Sequence, residues 1–462
     1  MGGQEKEYEV DSSSRKRALW LYPSAIASEI AERVIVMKKY TAAGLLVLFL
    51  LATLSGQAIA QKAVPASHWV SAWTAALYAP NPMPGIAAEP AIKDKTIRMI
   101  VRPSLGGQRL RVRFSNEFGS APMTIASARI ALTADGSKIQ TATDRALTFG
   151  GSPKVTIPAG APAFSDPVDI AVKPFAEVSV SIYLLGPAPA SSIHEQALHD
   201  AYASGPGDLT FKADLTGGET KQTWYFLSGI DVWTPAGTSA IVAFGDSITQ
   251  GYGAKSATYI DYPTQLAQRL AAQGVTTLAV VNQGISGNRI LHDVAGANAL
   301  ARFDRDVLSL SGVTHMIVLE GINDITFPHI KLPGANAGGN SNDGPFKSQS
   351  VSADELIAGL QQIIARAHAH GIKVYGATIM PCEGVNTYSE EGEAIRQAVN
   401  KWIRMSHAFD AVIDFDQLMR DPNHPAKMRP EYDSGDHVHP GAAGYRAMAD
   451  YIPLELLSGK HK

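Results

Sequence analysis

Cysteine is almost missing from this chain: its 462 residues include one, Cys382. A single thiol excludes an intramolecular disulfide and any cysteine-rich metal cluster. At the end of an apolar run it reads as a small buried hydrophobe, with a reactive thiol as the alternative. Long blocks of one charge are missing as well. Lysine and arginine total 40 against 43 acidic residues, a net charge of -3, and no Lys/Arg-rich block suggests a nucleic-acid partner. Charged residues make up 18% and hydrophobic ones 45%, the balance of a soluble globular protein with material for substantial cores. The length exceeds that of one ordinary domain, so two are expected.

What is present begins with an address. Lys38-Lys39 precede the apolar stretch Gly44 to Leu54, and the small residues Ala58-Ile59-Ala60 stand before Gln61. A basic segment, an apolar segment and an Ala-x-Ala site in that order predict an export signal over 37–60. The apolar run falls short of the roughly 20 residues that cross a bilayer. That favours cleavage over an uncleaved anchor and leaves no stable membrane attachment afterwards. The protein is therefore expected in the periplasm or outside the cell. Residues 1–36 are mixed in charge and include Arg15-Lys16-Arg17, and Met37 stands directly before the two lysines. They read as a misassigned extension, with Met37 as the natural start.

Two periodicities divide the remainder. In 61–236, Ile97, Met99 and Val101 alternate with Arg98, Ile100 and Arg102; Leu110, Val112 and Phe114 alternate with Arg109, Arg111 and Arg113. Val178, Val180, Ile182 and Leu184 follow the same rule. Period two predicts strands with one buried face. Gly/Pro punctuation at Gly106-Gly107, Gly150-Gly151, Pro158 to Gly160 and Gly205 to Gly207 separates them, which predicts an antiparallel β-sandwich, jelly-roll-like. The three arginines of the second strand read as a solvated face, with a polyanion-binding face as the sharper alternative. In 237–462 the pattern changes. The apolar runs 240–244, 276–281, 315–319, 373–380 and 411–415 do not alternate, and helical patterns lie between them. Leu356, Ile357, Leu360, Ile363, Ile364 and Ala367 share one helix face, with Ser352 and Glu355 as a capping box and Gly371 as C-cap. Doubly buried strands alternating with helices predict an α/β domain with a parallel sheet, whose functional groups gather beyond the carboxyl ends of the strands.

Four short blocks fall at such ends: Gly245-Asp246-Ser247-Ile248, Ser286-Gly287-Asn288, Gly321-Ile322-Asn323-Asp324, and Asp436-His437-Val438-His439. Each has a plain reading by itself. Ser247 could cap a helix, Asn323-Asp324 could form a turn, and His439-Pro440 could lie in a loop. Together they carry chemistry. A serine at a strand tip needs a base within reach, His439 can supply one near neutrality, and Asp436 three residues earlier can orient it. His437 beside His439 raises the question of a metal, but no compact ligand set accompanies them and none is expected.

From about residue 239 to 458 the chain resembles the SGNH hydrolase (GDSL esterase/lipase) superfamily, with Ile248 in place of the usual leucine. The resemblance implies a flavodoxin-like parallel-sheet hydrolase domain that uses no cofactor. It implies Ser247 as nucleophile, His439 and Asp436 completing a triad, and an oxyanion hole made by the backbone N–H groups of Ser247 and Gly287 and the side-chain amide of Asn323. With the export signal and the β-rich partner region, the chain is similar to secreted bacterial members that act on acylated polysaccharides. The expected substrate is a small acyl ester, acetylated polysaccharide first among the candidates. Activity on short lipids or aryl esters and an inert carbohydrate-binding role are the alternatives, and the sequence leaves the oligomeric state open. Finally, the Gly- and Asn-rich stretch from Phe327 to Ser350 is long for a loop without structure and reads as a lid or substrate-contacting segment. Its oxygens are not spaced as in a dedicated calcium loop.

Overall fold

A computed structural model of the chain describes residues 67–80, 91–215, 217–330 and 344–458. The export signal, the start at Met37 and the centre of the 327–350 loop lie outside the described residues.

The alternating segments of the first half form antiparallel strands. The longer ones are β1 (His68–Thr74), β2 (Lys95–Val101), β3 (Gly107–Ser115), β4 (Met123–Asp135), β5 (Val178–Leu184), β6 (Ala201–Pro206) and β7 (Leu227–Thr234). One sheet runs β1-β7-β3, and a second runs β6-β2-β5-β4, each extended by shorter strands at its edges. Val70, Leu110, Val112 and Val232 of the first sheet share one apolar core with Ile97, Met99, Val180 and Ile182 of the second.

The polar positions between these residues depart from the expected solvated face. Arg98 is fully buried, and its guanidinium donates to Ser181 Oγ (2.8 Å), Thr210 O (3.2 Å), Lys212 O (2.7 Å) and Ser137 O (2.5 Å). Buried guanidinium is tolerated where its N–H groups find acceptors in this way. Of the β3 arginines only Arg109 keeps to solvent, paired with Asp169 at 2.6 Å. Arg111 binds Asp231 (2.8 Å) and lies between the rings of Trp69 and Phe164. Arg113 is buried and donates to Ser309 Oγ (3.1 Å). The outer face of this sheet is covered by the second half of the chain, which single-strand periodicity does not reveal. Ser71 N donates to Ser311 O (2.9 Å), and Ser104 Oγ to Val280 O (2.9 Å), so backbone as well as side chains join the two regions.

The second half holds the parallel strands β8 (Ser239–Gly245), β9 (Leu278–Gly284), β10 (Val313–Leu319), β11 (Lys373–Ala377) and β12 (Ala411–Ile413), in the order β9-β8-β10-β11-β12. The apolar run at 276–281 thus marks a strand displaced by two to three residues, and the run at 373–380 a strand that ends three residues earlier. Around the sheet lie α1 (Ser247–Gln250), α2 (Tyr262–Ala272), α3 (Ile322–Thr326), α4 (Ala353–Ala369), α5 (Glu390–Met405) and α6 (Ala442–Tyr451). The capping box at Ser352 and Glu355 forms as expected, and Gly371 follows the end of α4 with φ +70°. Leu356, Leu360, Ile363, Ile364 and Ala367 are buried against the sheet.

The carboxyl ends of the first three parallel strands are tied together by one buried cation. Arg302, from the short helix Ala299–Phe303, is 1% exposed. It donates to Gly245 O (2.9 Å) at the end of β8, Gln283 O (2.8 Å) on β9, and Glu320 Oε1 (3.2 Å) just beyond β10. Its Nε reaches Asn288 Oδ1 (2.8 Å), and its plane lies over the Phe244 ring. Four carboxyl groups crowd this region with Arg302: Asp246, Glu320, Asp324 and Asp306, the last at 3.1 Å from the guanidinium. Burial pushes Asp246 up to about 7 and Glu320 well above the usual carboxylate range, with Arg302 opposing in both cases.

Asp246 is thus neutral in the fold up to about pH 7, whereas near 3.8 it ionises when unfolded. Its contribution to stability is complete below 3.8 and is lost as pH rises through 7. Asp246→Asn removes this loss. The variant's unfolding free energy, relative to wild type, is expected to rise by on the order of a few kcal/mol between acid and mildly alkaline pH. Urea melts at several pH values measure it, and a difference that stays flat with pH refutes the assignment.

Candidate active site

The turn after β8 is sharp. Gly245 closes the strand, and a Cβ there would meet Leu319 O at 2.4 Å, so the chain approaches β10 more closely than a side chain permits. Asp246 caps α1 through Ile248 N (2.9 Å), and Ser247 follows as the first helical residue. The serine is therefore presented at the strand tip by a turn that its two predecessors build.

The fourth block arrives from a loop before α6. Ser247 Oγ and His439 Nε2 are 2.7 Å apart, and His439 Nδ1 and Asp436 Oδ2 are 2.6 Å apart. The other carboxylate oxygen, Oδ1, accepts the backbone N–H groups of His439 (2.8 Å) and Val438 (3.0 Å). One carboxylate thereby fixes both the turn and the ring. Burial acts against its charge, but these hydrogen bonds prevail and hold Asp436 below its usual value. For His439, burial lowers the pKa below 6.5, while the hydrogen bond and charge of Asp436 oppose it. The ring stacks on Tyr252 with centroids 4.0 Å apart. His437 turns the other way, its Nδ1 2.7 Å from Asp433 Oδ2.

The second and third blocks complete the rim. Gly287 has φ +77°, and a Cβ would meet Ala295 Cβ at 2.9 Å and Phe327 Cζ at 3.3 Å. Glycine is required here by backbone conformation and crowding. Asn323 sits in the first turn of α3 and donates from Nδ2 to Asn288 O (2.9 Å). An amide nitrogen carries two hydrogens, so this bond orients the group and leaves a second N–H. Ser247, Gly287, Asn323 and His439 line one cleft of about 350 Å³, together with the apolar Phe327, Ile330, Val385 and Val438 and the polar Ser286, Asn386 and Thr387. Asp436 stands behind the histidine. The structure thus brings all five predicted residues together.

Several supporting residues escape sequence reasoning. Asp324, plain as a turn residue, accepts Ile290 N (2.7 Å) and Leu291 N (3.1 Å) and so anchors the chain just beyond Gly287. Asn288 is buried and spans Ala295 O (2.8 Å), Ala297 O (2.9 Å) and Arg302. Their positions within the blocks were the only hint, and for Arg302 and Tyr252 the sequence holds none. Beside the cleft, Phe327 and Phe346, at the two described ends of the long loop, both pack on Arg289. Cys382 is buried, and burial pushes its thiol up to about 12, as an inert core residue. Among the described residues no group of three or more His, Cys, Asp or Glu side chains is placed to hold a metal ion.

Comparison with known proteins places this geometry. Residues 243–447 match the GDSL-like lipase/acylhydrolase family. None of the curated protein sequences compared with the chain matches it. Similar solved structures include a lipolytic protein of the G-D-S-L family from Desulfitobacterium hafniense, with 20% identity over 46% of this chain and 97% of that one, at a TM-score of 0.34. They also include the acetyl xylan esterase AlAXEase, with 23% identity over 48% of this chain and 100% of that one, at a TM-score of 0.33. An acetylxylan esterase from Geobacillus stearothermophilus shows 22% identity over 46% of this chain and 91% of that one, at a TM-score of 0.33. The match over residues 243–447 supports a GDSL-like lipase/acylhydrolase domain of the SGNH superfamily in the C-terminal half, and with it a hydrolase of ester bonds.

Proposed function

We propose that the protein is an exported serine esterase that removes short acyl groups through an acyl-enzyme, with O-acetylated carbohydrate as its first candidate substrate. The observation that carries this reading is the hydrogen-bonded series Ser247–His439–Asp436, at 2.7 and 2.6 Å, opening into the cleft that Gly287 and Asn323 share. Ser247 Oγ attacks the ester carbonyl as its proton passes to His439 Nε2. The carbonyl oxygen, now an oxyanion, lies against the backbone N–H of Ser247 and of Gly287 and the second Nδ2 hydrogen of Asn323. Collapse breaks the bond to the alcohol, which leaves with the proton from His439. Water then attacks the acyl-enzyme by the same route and releases the acid. Asp436 stays ionised throughout and stabilises the imidazolium.

The cleft supports a small acyl group. Its volume of about 350 Å³ is shared between an apolar side, Phe327 and Val438 among it, and a polar side with Asn386 and Thr387 that suits a hydroxyl-rich alcohol. Export follows from the segment over 37–60, with Gln61 as the first mature residue. The two antiparallel sheets that share a core are read as a jelly-roll-like β-sandwich over 61–236, ahead of the hydrolase domain at 237–462.

Three outcomes test the mechanism. Wild type should hydrolyse p-nitrophenyl acetate faster than longer acyl homologues, and Ser247→Ala should lose essentially all of that activity. A silent wild type or an active Ser247→Ala variant rules the mechanism out. Asn323→Ala should lower kcat by about 100-fold with little change in KM, because the donor acts on charge that develops only in the transition state. A loss confined to KM would place Asn323 in substrate binding instead. The base must be neutral, and burial lowers the pKa of His439. In the free enzyme kcat/KM should therefore rise with pH through one ionisation below 6.5 and then level off. An acid limb centred above 6.5 contradicts the assignment.

A further inference from the structure

We infer that the β-rich region completes the oxyanion loop, acting through Gln250 as a positioning residue. The inference rests on the esterase reading above and adds to it a role for the first half of the chain.

Gln250 is the last residue of α1, the helix that begins with Ser247, and it is 2% exposed. Both ends of its amide are committed. Oε1 accepts Ser286 N at 2.5 Å, the peptide N–H immediately before Gly287. Nε2 donates to Glu195 O at 2.6 Å, a carbonyl of the β-rich region. A buried amide with both ends bonded has one orientation, so these contacts fix Gln250 in place. The helix itself lies directly on the end of β9, where a Cβ at Gly284 would meet Gln250 N at 2.2 Å. One side chain therefore links the nucleophile's helix, the loop of the Gly287 donor and the β-rich region.

The far end of this link is firm. Ile193–Glu195 pairs antiparallel with Thr223–Tyr225, and the His194 ring, stacked on Trp224, lies with Nδ1 2.8 Å from Ala76 O. Tyr78 holds Glu195 twice: its hydroxyl donates to Glu195 Oε2 (3.1 Å) and accepts Glu195 N (3.3 Å). The next residue, Gln196, takes φ +54°, a left-handed conformation that residues other than glycine seldom adopt. Its Oε1 accepts Ser286 Oγ at 3.0 Å. The β-rich region thus reaches Ser286 from two directions, once directly and once through Gln250.

An oxyanion donor must be aimed before the charge appears, and a displacement of about 1 Å is enough to cost catalysis on the order of 100-fold. Gln250→Leu removes both bonds at similar volume. In the full-length protein its kcat on p-nitrophenyl acetate is expected to fall by roughly 10- to 100-fold while KM stays near wild type. Its affinity for a small boronic acid, which forms a tetrahedral adduct on the serine hydroxyl, should fall by the same factor as kcat/KM. Tyr78→Phe releases only the anchor of Glu195 and should lower kcat by about threefold at unchanged KM. That milder variant decides the matter if Gln250→Leu does not fold. Folded variants whose kcat and boronate affinity stay at wild-type levels overturn the inference. Ser247→Ala, assayed in parallel, separates the two readings. If it remains active, the esterase mechanism itself is wrong. If it is dead while Gln250→Leu and Tyr78→Phe turn over normally, only the link to the β-rich region is wrong.

Discussion

Arg302 is the constraint on which the site depends. Parallel strands end in carbonyls that point out of the sheet, and three of the loops that matter here start from such ends. A single guanidinium with its donors in a rigid fork can bind several of these acceptors at once, which a lysine could not do with the same geometry. Arg302 holds Gly245 O, Gln283 O and Glu320, and through Asn288 it reaches the carbonyl that orients Asn323. The nucleophile turn, the glycine donor and the asparagine donor are thereby referred to one buried point. Burial raises the pKa of Asp246, Glu320 and Asp324, and Arg302 opposes that rise at Asp246 and Glu320. The site therefore stands on a polar core that is tolerable only because its groups are mutually bonded.

Much of the fold was legible because local rules govern it. The capping box at Ser352, the apolar face from Leu356 to Ala367 and the doubly buried runs 240–244, 276–281 and 315–319 each express a periodicity or a cap. The site residues were legible for a different reason. Strand ends in an α/β sheet converge, so blocks that follow successive strands meet whatever the length of chain between them. Arg111 and Arg113 were misread, and the burial of Arg98 was not foreseen, because alternation reports the backbone's two faces and not what covers them. Arg98 meets carbonyls of neighbouring loops, and Arg113 meets Ser309 from the hydrolase half. Such partners are distant in sequence and have no local signature. The same holds for Gln250, whose partners Glu195 and Ser286 lie on opposite sides of it in the chain.

The two halves are consequently less separate than their periodicities suggest. The change from alternating to continuous apolar runs near Pro235 marks a change of sheet type. Yet Ser311 is bonded to Ser71, Arg111 and Asp231, and Ser104 to Val280. The Ser71–Ser311 and Ser104–Val280 bonds use backbone groups and the others side chains, so each half satisfies polar groups of the other. A surface of this kind is suited to transmitting position.

The electrostatics of the base show how little of this arrangement can be read from one residue. Burial alone would push His439 toward the neutral form and make it a weak acceptor. Asp436 acts in the opposite sense, by charge and by its hydrogen bond to Nδ1, and its own ionisation is secured by two backbone N–H groups of the same turn. The helix N-terminus at Ser247 is a single turn long and adds little to this balance. Tyr252 covers the imidazole face at 4.0 Å, and its backbone is held by the Tyr445 hydroxyl and by Ser247 O. An aromatic face against an imidazole favours the ring most when it is positively charged, that is, during the attack. The base is thus kept neutral in the resting enzyme by burial, and its charged form is favoured by neighbours whose attraction grows as the proton arrives.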